Sequence, residues 1–400
     1  MNKKLSTTFI FLLIACQIFA CTTAIVSGKY TKDGKPVIWK LRDTESFQNK
    51  LKYFTDGKIP YIGLINSDDA NGDAIWGGYN SAGFAIMNSA SFNTNLDKPT
   101  KFTDQEGAIM KQALKNCKTL EDFEEMLNNL PRPMGLNANF GVIDAKGGCA
   151  YYETDNNKFV KFDANDASVA PNGYIIRTNF SYTGKKDIGY GFIRNQSAVE
   201  LFNEADAEGN FSTNNFIKNF SRTLHHSLLK TDFSTVYPNV TKGHFVNSGD
   251  FIVRHGSASS IIIKGVKKNE NPNNTCFWSM ISFPLTTVAI PVWMTKNGDL
   301  PNITIAEGKK NAQLAEYALA LKDRLYPIKR SSGYKYMDLS AYQNTVNGGI
   351  KHNIDRIEDE ILLKASILEK SQKLTDKDIV AFYNWVDTYV EKEYKACFNL

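Results

Sequence analysis

Polar and apolar positions repeat with two different periods along this chain, and the changes of period mark its elements. The stretches "TTAIVSG" (22–28) and "PVIWKLR" (36–42) read as two strands, with Asp33-Gly34 between them as a strong two-residue turn signal. A turn centred there pairs Lys32 with Lys35 and sets Ala24 opposite Asp43, so the second strand returns toward Cys21. "AIWGGYNSAGFAIMNSAS" reads as two more strands about a glycine-rich turn. The period then lengthens. Thr103 with Glu106 has the form of a capping box, Thr119 with Asp122 marks a second helix start, and Ile109, Ala113 and Cys117 share one helical face.

Strands return in "NFGVIDAKGGCAYYE" and "GYIIRTNFS", two helices are expected from about Ile188 to Leu229, and "FIVRHGSASSIIIKGV" and "CFWSMISFPLTTVAIPVW" are strand-rich. His255 to Ser259 lacks the second glycine of a nucleophile elbow and reads as a strand entry. Blocks of strands alternating with blocks of paired helices predict an α+β architecture, two sheets covered by helix layers. From about Ala306 the chain is chiefly helical. Ile354, Ile357, Ile361, Ala365 and Leu368 form one stripe, and Ile379, Phe382, Val386 and Tyr389 another. A helical extension over 306–400, docked on a main domain over 21–305, accounts for them; a dimer interface would look the same.

Residues 1–20 carry Lys3 and Lys4, an apolar run from Phe9 to Ala15, and Ile18 and Ala20 where a signal peptidase reads. They predict a secretory signal, too short to span a bilayer, and an exported protein in the periplasm or outside the cell. "LIAC", Leu13 to Cys16, also fits the pattern before a lipidated cysteine, so a membrane anchor at Cys16 or Cys21 stays open. Removing the leader lowers the net charge from +5 to +3, which argues against a polyanionic partner such as nucleic acid. With 42% hydrophobic and 12% aromatic residues the chain can bury a large core. Cys21, Cys117, Cys149, Cys276 and Cys397 remain, an odd number, so one thiol stays free or pairs between chains. Cys149 and Cys276 are strand residues that suit either a core or a disulfide. No CxxC or HExxH spacing occurs, and no metal or cofactor is expected.

The reactive form of cysteine is the thiolate, and an ordinary thiol at pKa ~8.5 is mostly protonated near neutrality. If cleavage follows Ala20, Cys21 acquires an α-amino group of pKa ~8, which can take the thiol proton and return it to a leaving group. Such a site also needs a carboxylate near the amine and donors for an oxyanion. Asp43 is brought near by the hairpin, although alternation places Lys40 and Arg42, not Asp43, on the face of Cys21.

Cys21 behind a signal peptide, "WKLRD", "GGYNSAGFAIMNS" and "IIRTNFS", in this order over about residues 21–300, resemble the N-terminal-nucleophile hydrolases of the choloylglycine hydrolase, penicillin V acylase and acyl-coenzyme A:6-aminopenicillanic acid acyltransferase group. The resemblance implies a four-layer αββα sandwich and the cleavage, or acyl transfer, of a non-peptide amide. Cys21 then matches the nucleophile and Asp43 the aspartate that ends the family's RNxD pattern. This chain reads "KLRD", so Lys40 stands at the arginine position, and either Lys40 or neighbouring Arg42 supplies the charge. Asn179 in "TNF" matches an oxyanion donor, and Asn88 in "IMNSAS" a second asparagine, with spacing that differs by about two residues. Arg194 is the nearest candidate for a late arginine and Arg254 the next. The implied substrate is a small N-acyl amide: bile-acid amides, N-acyl amino acids, lipid amides and lactams are all open. Trp39, Trp76, Tyr79 and Phe84 suit an acyl pocket or plain sheet packing. The rival reading is a surface lipoprotein that binds a ligand without chemistry, since acylation of Cys21 would consume both amine and thiol. A homo-oligomer is compatible with either.

Overall fold

The computed structural model describes residues 20–96, 104–237, 240–344, 348–371 and 374–400. Most of the leader, including Lys3, Lys4 and Cys16, and the expected cap Thr103 lie outside the described residues. In chain order the sheet strands are β1 (Cys21–Val26), β2 (Val37–Asp43), β3 (Asn49–Phe54), β4 (Tyr61–Asn66), β5 (Gly78–Asn80), β6 (Ala85–Ala90), β7 (Ala138–Ile143), β8 (Cys149–Thr154), β9 (Phe159–Asp163), β10 (Tyr174–Arg177), β11 (Ser257–Lys264), β12 (Cys276–Ile281) and β13 (Ile290–Val292). The longer helices are α1 (Glu106–Asn116), α2 (Leu120–Asn129), α3 (Phe192–Ala207), α4 (Gln313–Leu325), α5 (Ile350–Glu369) and α6 (Asp376–Phe398).

One six-stranded sheet has the order β10-β1-β2-β11-β12-β13, and one seven-stranded sheet runs β3 to β9 in sequence, a plain meander; every pairing is antiparallel. The two sheets face each other. Tyr151 of β8 donates to Thr23 Oγ1 of β1 at 2.8 Å, and a Cβ at Gly141 would collide with Met87 and come within 2.9 Å of Ile25, so glycine there lets the sheets close. The alternation of "CAYYET" sorts β8 in the same way: Cys149 and Tyr151 face the other sheet, Ala150 and Tyr152 face the helices. Outside the seven-stranded sheet lie α1 and α2, where Phe123 packs on Phe84, Phe140 and Tyr152. Outside the six-stranded sheet lies α3, with Phe202 6.0 Å from Trp39, followed by the C-terminal helices. The layers are helix, sheet, sheet, helix, an αββα sandwich of the α+β class.

The opening pair of strands differs from the expected register. Cys21 pairs with Arg42 and Val26 with Val37, so the partners are displaced by four residues and 27–36 form a broad loop. Asp33-Gly34 does turn, with Gly34 at φ 69 donating to Thr31 O. The ladder cannot extend toward it, because Pro36 has no N–H and Gly28 lies against Gly34 O, which a Cβ would approach to 2.6 Å. A four-residue displacement is even and leaves the faces unchanged. Cys21, Thr23, Lys40 and Arg42 therefore share the inner face, as alternation predicts, while Thr22, Trp39, Leu41 and Asp43 share the outer one.

Other expectations divide similarly. Thr119 and Asp122 form a full capping box on α2, but α1 starts at Gln105 without a side-chain cap. The second helix expected before Leu229 is only Thr213–Asn215 running into a wide turn at Phe216–Phe220, and His225-His226 form a two-residue strand against Thr231–Asp232, with His225 Nε2 2.7 Å from Glu200. Ser257 opens β11, as a strand entry should. Cys21, Cys117, Cys149 and Cys276 are buried free thiols, Cys397 is a partly exposed one, and no disulfide occurs among the described residues. The stripes of α5 and α6 join the same apolar cluster as the six-stranded sheet, with Leu368 and Tyr389 only partly buried at its edge. No helix among the described residues is long and apolar enough to cross a membrane.

Candidate active site

Cys21 opens β1 on the inner face, 7% exposed, and borders a cavity of about 700 Å³. The cavity exists because the seven-stranded sheet splits beside it: β5 and β6 pair only at Gly78 with Ile86 and Tyr79 with Ala85. Beyond Gly78 they diverge. Trp76 and Asn88 stand on the two sides of the split, and Cys21 and Glu106, at the start of α1, both line the cavity. Trp76 thus lines the cavity, whereas Trp39, Tyr79 and Phe84 are fully buried packing residues.

Lys40 reaches across from β2 into this split. Its Nζ donates to Trp76 O and to Asn88 Oδ1, both at 2.7 Å. Burial drags the ammonium down to about 7, opposed by attraction to the Cys21 sulfur and aided by Arg42. Arg42, directly opposite Cys21, stacks on the Trp76 ring at 4.4 Å, and burial lowers it to about 10, again against the pull of Cys21. Its Nη1 is buried without a hydrogen-bond partner among the described residues. Lys40 and Arg42 make no ion pair with a carboxylate among those residues either. Both cations thus lie within electrostatic reach of the Cys21 sulfur. Asn88 keeps its Nδ2 free of partners among the described residues while lining the cavity.

On the other side of β1, Asn179 and Arg194 grip the start of the strand. Asn179 follows β10 and bridges to Tyr190. Its Oδ1 accepts from the Cys21 nitrogen at 2.9 Å and from Arg194 Nη2 at 2.8 Å, and its Nδ2 donates to Ala90 O at 2.9 Å. Asn179 therefore holds the nitrogen of Cys21, where the expectation is an oxyanion donor. Arg194 Nη1 donates to Cys21 O at 2.7 Å and Thr22 Oγ1 at 2.9 Å. Gly191, at φ 83, precedes α3 because a Cβ there would strike the Arg194 guanidinium. Burial lowers Arg194 to about 10, with Arg254 adding to the effect.

Asp43 is placed differently from the expectation. It lies on the outer face, where Oδ2 accepts from Arg254 Nε at 2.8 Å and Oδ1 from Ser257 Oγ at 2.7 Å. Neither oxygen meets the Cys21 nitrogen. A bulge on the partner strand, between Ser257 and Ser259, brings Ser257 up to the carboxylate. The structure thus joins Cys21, Lys40, Arg42, Asn88, Asn179 and Arg194 in one cluster; Asp43, held by Arg254 and Ser257, lines the same cavity as Cys21 without bonding to its nitrogen. Sequence reasoning missed Trp76 as a platform for Arg42, Ser257 as a clamp on Asp43, and Glu106. That last carboxyl accepts from Asn137 N at 2.9 Å and is pushed up to about 7 by burial. Nothing in its local pattern distinguishes it from an ordinary first-turn acid.

No family model matches the chain, and no curated protein matches it. Solved structures do. A mutant of the conjugated bile acid hydrolase from Clostridium perfringens is 12% identical, with a TM-score of 0.43 over 70% of this chain and 93% of that one. A penicillin V acylase from Agrobacterium tumefaciens is 14% identical, with a TM-score of 0.37 over 69% and 86%. A Caenorhabditis elegans ortholog of N-acylethanolamine-hydrolyzing acid amidase is 13% identical, with a TM-score of 0.34 over 48% and 86%.

Proposed function

We propose that the chain is an exported amidase which, once residues 1–20 are removed, cleaves a non-peptide carbon–nitrogen amide through Cys21 or passes the acyl group to another acceptor. One observation carries this reading: the Cys21 nitrogen is held by Asn179 Oδ1 at 2.9 Å, on the wall of a cavity of about 700 Å³. In the uncut chain that nitrogen is a peptide N–H. After cleavage behind Ala20 it is an α-amine, and Asn179, itself braced by Arg194, fixes it beside its own thiol.

The neutral amine takes the thiol proton, and the sulfur attacks the substrate carbonyl carbon. Charge moves to the carbonyl oxygen, where Asn88 Nδ2 is the available side-chain donor. The ammonium returns its proton to the leaving nitrogen, the carbon–nitrogen bond breaks, and a thioester remains on Cys21. Water, deprotonated by the same amine, then releases the acid and restores the thiol; an amine in place of water gives acyl transfer. Lys40 and Arg42 hold the thiolate. The N-terminal sequence of the exported protein should be Cys-Thr-Thr, and that protein should turn over at least one member of a panel of N-acyl amides. A chain starting at an acylated Cys16, or a blocked Cys21, would sink the reading.

A further inference from the structure

A set of exposed apolar side chains forms a rim that meets the cavity at Leu96, which lines it, and at Tyr190, which packs on the lining residue Phe92. Tyr182, Tyr190, Phe192, Leu228, Leu229 and Leu96 are each between 44% and 65% exposed, and they come from three segments that are tied together. Asn93 Nδ2 donates to Ser181 O at 2.8 Å and Lys185 O at 3.0 Å, joining the segment after β6 to the loop before α3. Phe180 stacks on Phe192 at 4.6 Å and lies 5.5 Å from Tyr182. Ser227 Oγ donates to Ile193 O at 3.0 Å, and its N–H to Ser197 Oγ at 3.0 Å, which sets Leu228 and Leu229 beside the first turn of α3. These bonds join the three segments, and Tyr182 on Arg177, Tyr190 on Phe92 and Phe192 on Phe180 each rest one side on the protein while leaving much of the ring exposed.

We propose that this rim is a docking surface for a lipid bilayer containing anionic headgroups, reached without any lipid anchor on the chain. Two features favour a bilayer. Lysines follow the apolar tips closely in sequence, with Lys185 and Lys186 after Tyr182 and Lys230 after Leu229. Lys185 and Lys186 are exposed and make no ion pair among the described residues, whereas Lys230 shares Glu200 with His225. Aromatic and leucine tips flanked by ammonium groups suit an interface where the rings enter the acyl boundary and the charges remain at headgroup level. The second feature is continuity with the cavity. Phe92 lines it and packs edge-on against rim residue Tyr190 at 5.4 Å, and Leu96 belongs to both cavity wall and rim. An acyl chain leaving the bilayer can pass along Leu96 and Phe92 toward Trp76 with little contact with water. The sequence allows a membrane only through lipidation at Cys16 or Cys21; the rim supplies a separate route.

The test uses the chain from Cys21 to Leu400, without lipid, in co-sedimentation with phosphatidylcholine vesicles made with and without phosphatidylglycerol. The wild type should pellet with the anionic vesicles. Leu228→Asp with Leu229→Asp should reduce the bound fraction at least tenfold while leaving thermal unfolding unchanged. Lys185→Glu with Lys186→Glu should abolish the preference for phosphatidylglycerol. Wild-type protein that stays in solution with both vesicles overturns the proposal, as does an aspartate variant that pellets like the wild type. Sedimentation velocity covers the other occupant: a wild-type dimer that the aspartates dissolve, without vesicle binding, assigns the rim to a second copy of the chain. Vesicle binding is read without any turnover, so its outcome stands apart from that of the amidase reading. With an active preparation, the aspartate variant should lose rate on a long-chain amide in vesicles and keep its rate on a short-chain soluble amide.

Discussion

Arg222 and Arg42 are both cationic side chains shut away from solvent, at 5% and 4% exposure, yet their surroundings push them in opposite directions. Arg222 meets Glu358 of α5 through two bonds of 2.6 and 2.7 Å, and donates to Pro284 O and Thr287 O as well. Burial alone would lower it, but the Glu358 charge overcomes burial and the net shift is upward. Glu358 also accepts from Ala289 N at 2.8 Å, so this pair fastens the C-terminal helices to the six-stranded sheet with every charge answered. Arg42 and its neighbour Lys40 have no carboxylate partner among the described residues, and burial prevails in both. A neutralised cation is part of the framework. A cation without a carboxylate in bonding distance, beside a cavity, keeps most of its field for a charge that appears there; on the proposed function that charge is the Cys21 thiolate.

Removing that thiolate gives the largest effect. Cys21→Ala should abolish amide turnover with little change in denaturant midpoint, and Cys21→Ser should retain at most weak activity, because a hydroxyl is the poorer nucleophile for the same amine. Full turnover by the alanine variant would mean that another residue attacks. At the framework pair the expectation reverses: Glu358→Ala leaves Arg222 buried and uncompensated and should lower stability by about 3–5 kcal/mol in urea unfolding. A loss below about 1 kcal/mol would place Arg222 with Arg42 and erase the contrast.

Arg42→Met should do the opposite of Glu358→Ala. The rate of the first chemical step falls, measured in single turnover, while stability holds or rises, since a buried unpaired charge is replaced by an apolar chain of similar length. Reduced stability at an unchanged rate would make Arg42 a framework residue. The smallest effect concerns pH. Lys40 is charged below about 7 and neutral above it, so its support for the thiolate fades as pH rises through that value. Wild-type rates should show a falling limb there, and Lys40→Arg should lose it. The same depressed amine binds a proton in the unfolded chain but not in the folded one between about 7 and its ordinary 10.5, so stability should rise with pH across that window. Lys40→Met should flatten the rise.

Much of this is legible in the alternation of side chains, because face assignment depends only on counting by two. Alternation puts Lys40 and Arg42 beside Cys21 even with a pairing that is four residues off. Register depends on the loop, and the close approach of Gly28 to Gly34 together with the missing donor of Pro36 is a three-dimensional fact that a strong Asp-Gly signal conceals. The partners of Asp43 come from Arg254 and Ser257, more than two hundred residues away, and no local pattern announces them. The split between β5 and β6 is hidden for the same reason: "GGYNSAGFAIMNS" looks like a hairpin, and it is one for only two residue pairs.

Ala20 is 1% exposed, so the peptide bond that joins it to Cys21 lies inside the folded protein. On the proposed cleavage behind Ala20, this sets an order of events. A peptidase acting from outside can reach the bond only in a chain that has not yet closed around it, during or just after export, whereas a chain that folds first has only its own side chains at hand to cut it. The full-length protein, purified folded and then mixed with signal peptidase, should remain uncut, and the same mixture under partly denaturing conditions should yield the Cys21 terminus. On that proposal maturation is a race between cleavage and folding, and in the uncut chain Asn179 already grips the Cys21 nitrogen.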